Sequence, residues 1–120
     1  MSLCMEPCFC NLPAAGGNVN HKLHNCTGDR IVFKVKSSNN NQYRITPVYG
    51  FIPPLSSIEL NIARVPGPPK DDKLVVQFAP TPPDALDAQS AFSSFPPVGQ
   101  FTVPISAKVA VPEVAVAPQQ

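Results

Sequence analysis

Between residues 31 and 62 the chain alternates apolar and polar side chains in three bursts, separated by Asn, Gly and Pro. A period of two sends successive side chains to opposite sides of an extended backbone, so this stretch is expected to form antiparallel strands with one buried face. Ile31, Phe33 and Val35 share one parity, and Lys34 and Lys36 share the other. The same alternation continues through Ile58, Leu60 and Ile62, then Leu74, Val76 and Phe78, and finally Phe101, Val103, Ile105 and Ala107. With weaker strands at 8–12, 21–26 and 43–47, the expectation is an all-β chain of about seven strands folded as an antiparallel sandwich. Phe33, Val35, Ile45, Leu60, Leu74 and Phe101 are expected to share its core.

Proline sets the boundaries. Sixteen prolines are far more than the usual ~5%, yet they lie between apolar runs and do not form a tract. The run Pro13-Ala14-Ala15-Gly16-Gly17-Asn18 and the loop from Ser37 to Gln42 are read as turns. Pro47 ends a strand or marks an edge, Gly50 permits a bend, and Pro53-Pro54 is a candidate cis bond. Thr81 is read as a helix cap with Pro82 at the first position and Asp84 near the positive end of the dipole. Ala85, Ala88, Phe92 and Phe95 would then share one face of a short helix, closed by Pro96-Pro97. Pro104 is expected at an edge or a bulge. Residues 1–108 are expected to form one domain, and residues 109–120, rich in Val, Ala and Pro, an extended tail.

Nine Lys and Arg against eight Asp and Glu leave a formal charge of +1, so no long-range field favours nucleic acid or an anionic membrane. No early apolar run reads as an export signal and none approaches the ~18 residues of a membrane span, which predicts a cytosolic protein without direct membrane insertion. Cys4, Cys8, Cys10 and Cys26 are accordingly expected to be reduced thiols. A zinc set drawn from Cys4, Cys8 and Cys10 with His21 or His24 is not expected, because Cys-x3-Cys-x-Cys lacks the paired spacing of structural sites. Leu23 should face the core, and His21 and His24, one odd and one even, should lie on opposite faces. Asn25-Cys26-Thr27 has the form of a glycosylation sequon, which would matter only in an exported adhesion domain. No Gly-x-Ser-x-Gly, phosphate loop or His-Glu-x-x-His is present, so neither an enzyme nor a cofactor is expected.

The run Phe33-Lys34-Val35-Lys36-Ser37-Ser38, the run from Tyr43 to Pro54 and the downstream Lys73-Leu74-Val75-Val76-Gln77-Phe78 closely resemble the major sperm protein (MSP) domain. The resemblance covers about residues 8–108. Within that family the small nematode sperm-specific proteins look nearest, through the short length, the Pro-Ala-Ala-Gly-Gly start, the Ser-Ser-Asn-Asn-Asn run and the Ala-rich helix near Asp87-Ala88-Gln89. The resemblance implies a seven-stranded immunoglobulin-like sandwich of MSP/PapD-like type, non-enzymatic and cytosolic. It also implies contacts with copies of itself or with related sperm MSP-domain proteins and a cytoskeletal or motility-related role; Pro47 and Pro104, wherever they occupy an edge, are expected to limit pairing and keep self-association weak. A second branch, the vesicle-associated-protein receptors, binds acidic peptides on a basic strand face. Its Lys-Val-Lys-Thr-Thr motif falls on Lys34, Val35, Lys36, Ser37 and Ser38, and its downstream lysine on Lys73. Val75 stands where that branch has methionine. Lys34, Lys36, Ser37, Ser38, Lys73 and Val75 are therefore the candidate peptide-binding residues of an alternative reading, a soluble adaptor for acidic motifs. Without the coiled coil and anchor of those receptors, organelle tethering is not expected.

Overall fold

The computed structural model describes residues 3–94 and 96–109. Nine strands and one helix follow in the order β1 (Leu3–Glu6), β2 (Cys10–Pro13), β3 (Gly17–Asn25), β4 (Ile31–Ser37), β5 (Tyr43–Thr46), β6 (Tyr49–Ile52), β7 (Ser57–Arg64), β8 (Lys70–Pro80), α1 (Ala88–Ser94) and β9 (Gly99–Lys108). They form a sandwich of two sheets, one ordered β1-β3-β7-β5 and the other β2-β9-β8-β4-β6. The expected sandwich is present, but with nine strands instead of seven. β1 is too short to carry a periodic signal, and β6 contains Gly50 and abuts Pro53, which made it read as a bend. One ladder also departs from the antiparallel scheme, since β2 runs parallel to β9.

On each lateral side of the sandwich the chain crosses from one sheet to the other at a proline. On one side β1 edges the first sheet, the chain turns through the cis Glu6–Pro7 bond, and β2 edges the second. On the other side β5 edges the first sheet, the chain turns through the cis Thr46–Pro47 bond, and β6 edges the second. The candidate cis bond at Pro53-Pro54 is thus not one; the cis bonds among the described residues lie where the chain crosses between layers. Pro104 sits in a strand paired on both sides, but β2 covers only Ile105–Lys108 of it, so the proline lies just outside that ladder where no amide is required.

The core is built as the alternation demands. Phe33, Val35, Leu60, Leu74, Val76, Val103 and Ile105 are buried between the sheets, with Ile45 and Phe101 packed against them. Gly50 and Gly99 stand opposite Phe33 and Phe78 in their ladders, and a Cβ on either would come within 2.7 Å and 2.6 Å of the facing ring. Those rings lie across bare backbone that only glycine leaves free. Val32, of the opposite parity, is also buried, because α1 covers it together with Ala79. His21 and His24 do point to opposite faces: His21 shares the buried face of Leu23, its Nδ1 meeting the Pro7 carbonyl at 3.0 Å, whereas His24 is half-exposed and pairs with Glu6 at 2.9 Å.

The helix starts later than Thr81. Arg30 Nη1 donates to the carbonyls of Pro82, Pro83 and Ala85 at 3.3, 3.1 and 2.7 Å, which ties residues 82–85 into a turn. Asp87 is the cap instead: its carboxylate accepts from the Ser90 amide at 2.9 Å, and the Ser90 side chain first, then that amide, hold its pKa below the usual carboxylate value. Thr81 is buried and its amide donates to the Arg30 carbonyl. Ala85, Ala88 and Phe92 do pack on one face; the expectations for the side chain of Phe95 and for the tail from residue 110 onward lie outside the described residues.

Candidate interaction groove

β4 supplies the basic residues because its inward parity is spent on the core. Lys34 and Lys36 leave its outer face, opposite Gln77 and Val75 of the adjacent β8. Directly opposed residues share a face, and so do residues two apart in a strand. Lys34, Lys36, Lys73, Val75 and Gln77 therefore stand on one surface, bounded at one end by the helix. Lys34 is additionally drawn to an aromatic face, with its Nζ 5.2 Å from the centroid of Tyr49, which in turn meets Phe92 edge-on at 6.0 Å.

The two serines of the motif are engaged elsewhere. Ser38 Oγ donates to Asp72 Oδ1 at 3.0 Å and accepts from the Lys73 amide at 3.0 Å, while the Ser38 amide donates to the Lys73 carbonyl. Ser37 Oγ accepts from the Asn39 amide at 3.0 Å, and Asn39 Nδ2 donates to Asp72 Oδ2 at 3.2 Å. Ser37 and Ser38 thus fasten the 37–42 loop to the start of β8 and hold the lysine-bearing strands in register.

Beyond Lys34 the edge of β4 is left open. β6 pairs with Ile31–Lys34 and the last bond on that side runs from the Val35 amide to the Val48 carbonyl at 2.8 Å. β5, the outermost strand of the other sheet, lies alongside. Between them is a cavity of about 640 Å³ whose lining includes Lys34, Lys36, Arg44, Tyr43, Ile45 and Val48. Arg44 was not singled out from sequence, although its parity, opposite to Tyr43 and Ile45, marks it as outward-facing. No parity rule could have brought it beside the lysines, since it belongs to the other sheet. The cavity includes Lys34, Lys36 and Ser37 of the six candidate residues; Lys73 and Val75 stay on the open face.

Tyr43, which lines the cavity, is backed by Arg64. Arg64 is buried, with Nη2 donating to the Pro68 carbonyl at 2.6 Å and its guanidinium 5.1 Å from the Tyr43 ring. Burial raises the Tyr43 phenol and the neighbouring guanidinium opposes that rise. The thiols differ in setting: Cys10 lies in the core and burial pushes its pKa up to about 11, whereas Cys8 and Cys26 are exposed. Cys4 is raised as well, by burial first and then by the nearby Cys26. Among the described residues no three metal-binding side chains converge. Asn25 is buried, and its amide nitrogen donates to the carbonyls of Asp29, Ile52 and Pro53, which leaves the folded sequon no place for a glycan. No helix among the described residues is long and apolar enough to cross a membrane.

These features define an immunoglobulin-like sandwich that presents free strand edges and a basic face. The sequence model of the MSP (major sperm protein) domain matches residues 3–99. Sperm-specific class P protein 16 of Caenorhabditis elegans is 55% identical over 107 residues, 89% of this chain and 98% of that protein. The solved structure of SSP-19, an MSP-domain protein like family member in the same organism, superposes with a TM-score of 0.86 at 52% identity, covering 88% of this chain and 99% of that one. The PapD-like domain 7 of human CEP192 superposes with a TM-score of 0.64 at 10% identity over 91% of this chain and 85% of that one, a likeness of fold alone. The chain belongs to the MSP domain family, and within it groups with the sperm-specific nematode members.

Proposed function

We propose that this chain is a non-catalytic interaction module of the sperm cytosol that assembles with copies of itself or with related MSP-domain proteins, in a cytoskeletal or motility-related role. One observation carries the reading: the edges of both sheets lie open side by side, lined with cations and apolar side chains. An open edge offers unpaired backbone groups to another strand, and a second copy of this chain carries the same open edges. Residues 1–108 are the module of this reading, and residues 109–120 fall outside it. The test is crosslinking and pull-down from nematode sperm cytosol. Recovery of MSP-domain proteins by the wild type, reduced severalfold for Lys36→Glu with Arg44→Glu, supports the reading. A wild type that recovers no MSP-domain protein refutes it, as does a turnover activity that survives purification.

The adaptor reading is favoured by a different observation, the shared outer face of Lys34, Lys36 and Lys73 around Val75. There an extended acidic peptide would lie across β4 and β8, its carboxylates against the three ammonium groups. Titration with an acidic, phenylalanine-containing peptide tests it. Affinity that falls with salt and is lost in Lys36→Ala with Lys73→Ala supports this mode, and unchanged binding by that variant excludes it.

A further inference from the structure

The turn ahead of α1 presents a knob that matches the groove. Leu86 is 96% exposed, the most exposed large apolar side chain among the described residues, and it lies between Asp84 and Asp87. Isolated exposed leucines are common. This one is held on a fastened support. Arg30 donates to three carbonyls of the turn while its guanidinium lies 3.7 Å from the centroid of Phe51, and the Asp87 carboxylate locks the first turn of the helix. A segment already ordered in the free protein loses little conformational entropy when it docks.

The groove between β4 and β5 is the complement in charge and in polarity. Lys34, Lys36 and Arg44 surround Ile45 and Val48, and none of these cations takes part in an ion pair among the described residues. The knob and the groove lie toward opposite ends of β4. The turn is tied to Arg30 just before the strand, and the groove runs along β4 from Lys34 to Ser37, about 13 to 23 Å further on at the rise of an extended chain. One molecule therefore cannot fill its own groove with its own turn.

We propose that the Asp84–Asp87 turn of one copy seats in the β4–β5 groove of the next. Leu86 meets Ile45 and Val48, and the two carboxylates face Lys34, Lys36 and Arg44. Such a contact joins two different surfaces, so it is heterologous and propagates head to tail without closing at a dimer. It deepens the self-assembly reading and rests on it.

Two variants at exposed positions test this contact. One reverses the groove (Lys36→Glu with Arg44→Glu), and the other removes the knob while sparing the helix cap (Asp84→Ser with Leu86→Ser). Circular dichroism and urea midpoints matching the wild type establish that both are folded. In sedimentation equilibrium the wild type is expected to rise with concentration past twice the 12.8 kDa monomer mass. Each variant alone should stay monomeric, with association weakened at least about tenfold. Mixed in equal amounts they should form a dimer and stop, because one contributes the intact turn and the other the intact groove. Raising salt from 0.1 to 1 M, where the screening length falls from about 10 to about 3 Å, should weaken the wild-type assembly. Variants that each associate as well as the wild type overturn this contact and leave the self-assembly reading standing. A mixture that remains monomeric, or growth that ends at a dimer, overturns it as well. A strictly monomeric wild type that recovers no sperm protein removes both readings.

Discussion

Replacing Gly50 with alanine tests how the core was fitted around bare backbone. The added Cβ would stand 2.7 Å from both Cε2 and Cζ of Phe33, whereas carbon atoms rest at about 3.5–4.0 Å. The ring would have to retreat by about 1 Å. Phe33 has 0% exposure and is enclosed by the inner faces of both sheets, so the displacement is passed to its neighbours and not to solvent. Overpacking of this kind costs about 1–3 kcal/mol, which for a chain of this length lowers Tm by about 3–6 °C per kcal/mol. Phe33→Leu alone costs about 1–2 kcal/mol in lost burial, but it vacates the space the new methyl needs. The double variant should therefore be less destabilised than the sum of the singles by about 1 kcal/mol, within the range for side chains in direct contact. The assay is urea unfolding followed by far-UV circular dichroism, since the chain has no tryptophan to report. A loss below about 0.5 kcal/mol for Gly50→Ala, or strict additivity in the double variant, would refute the argument.

Phe33→Ala should cost about 3–5 kcal/mol by the same unfolding measurement, the range for emptying a filled core site. Asn25→Ala should cost at least about 2 kcal/mol, because the buried Ile52 carbonyl and the adjoining turns lose their donor. With a thiol reagent at pH 8, Cys8 and Cys26 should react in the native protein and Cys10 only on unfolding. The Cys10 thiol is raised by burial in the folded state, so its contribution to stability is present below pH ~9 and is lost as pH rises from there through about 11. Asp87 carries the opposite sign. Its carboxylate is lowered by the Ser90 bonds, so its stabilisation is present above the unfolded value and is lost as pH falls through the lower folded one. The Ser90 amide shift in NMR should titrate with a midpoint below 3.8, and the advantage of the wild type over Asp87→Ala should vanish in the same acid range.

By itself the sequence determined which residues go inside. Ile31, Phe33 and Val35, then Leu74, Val76 and Phe78, then Val103 and Ile105 are buried as their parity demands, because a pleated strand leaves a side chain only two directions. It also determined the family, through runs long enough to be specific, and the outward course of Lys34 and Lys36. What it could not determine were outcomes decided by groups distant along the chain. Thr81 and Asp87 both carry capping chemistry, and local pattern favoured the first; Arg30, more than 50 residues earlier, took the carbonyls of the intervening turn and passed the cap to Asp87. Pro47 was visible as an interruption, yet that the chain changes sheets there and at Pro7 follows from where β3, β7, β4 and β9 leave free edges. Ser37 and Ser38 matched a binding motif, but Asp72 and Asn39 engage their hydroxyls. Arg44 joins the lysines only because two sheets pack with their edges side by side. Parity is a property of one strand, whereas the groove belongs to a pair of strands that share no hydrogen bonds, and only the tertiary packing of the two layers sets the distance between them.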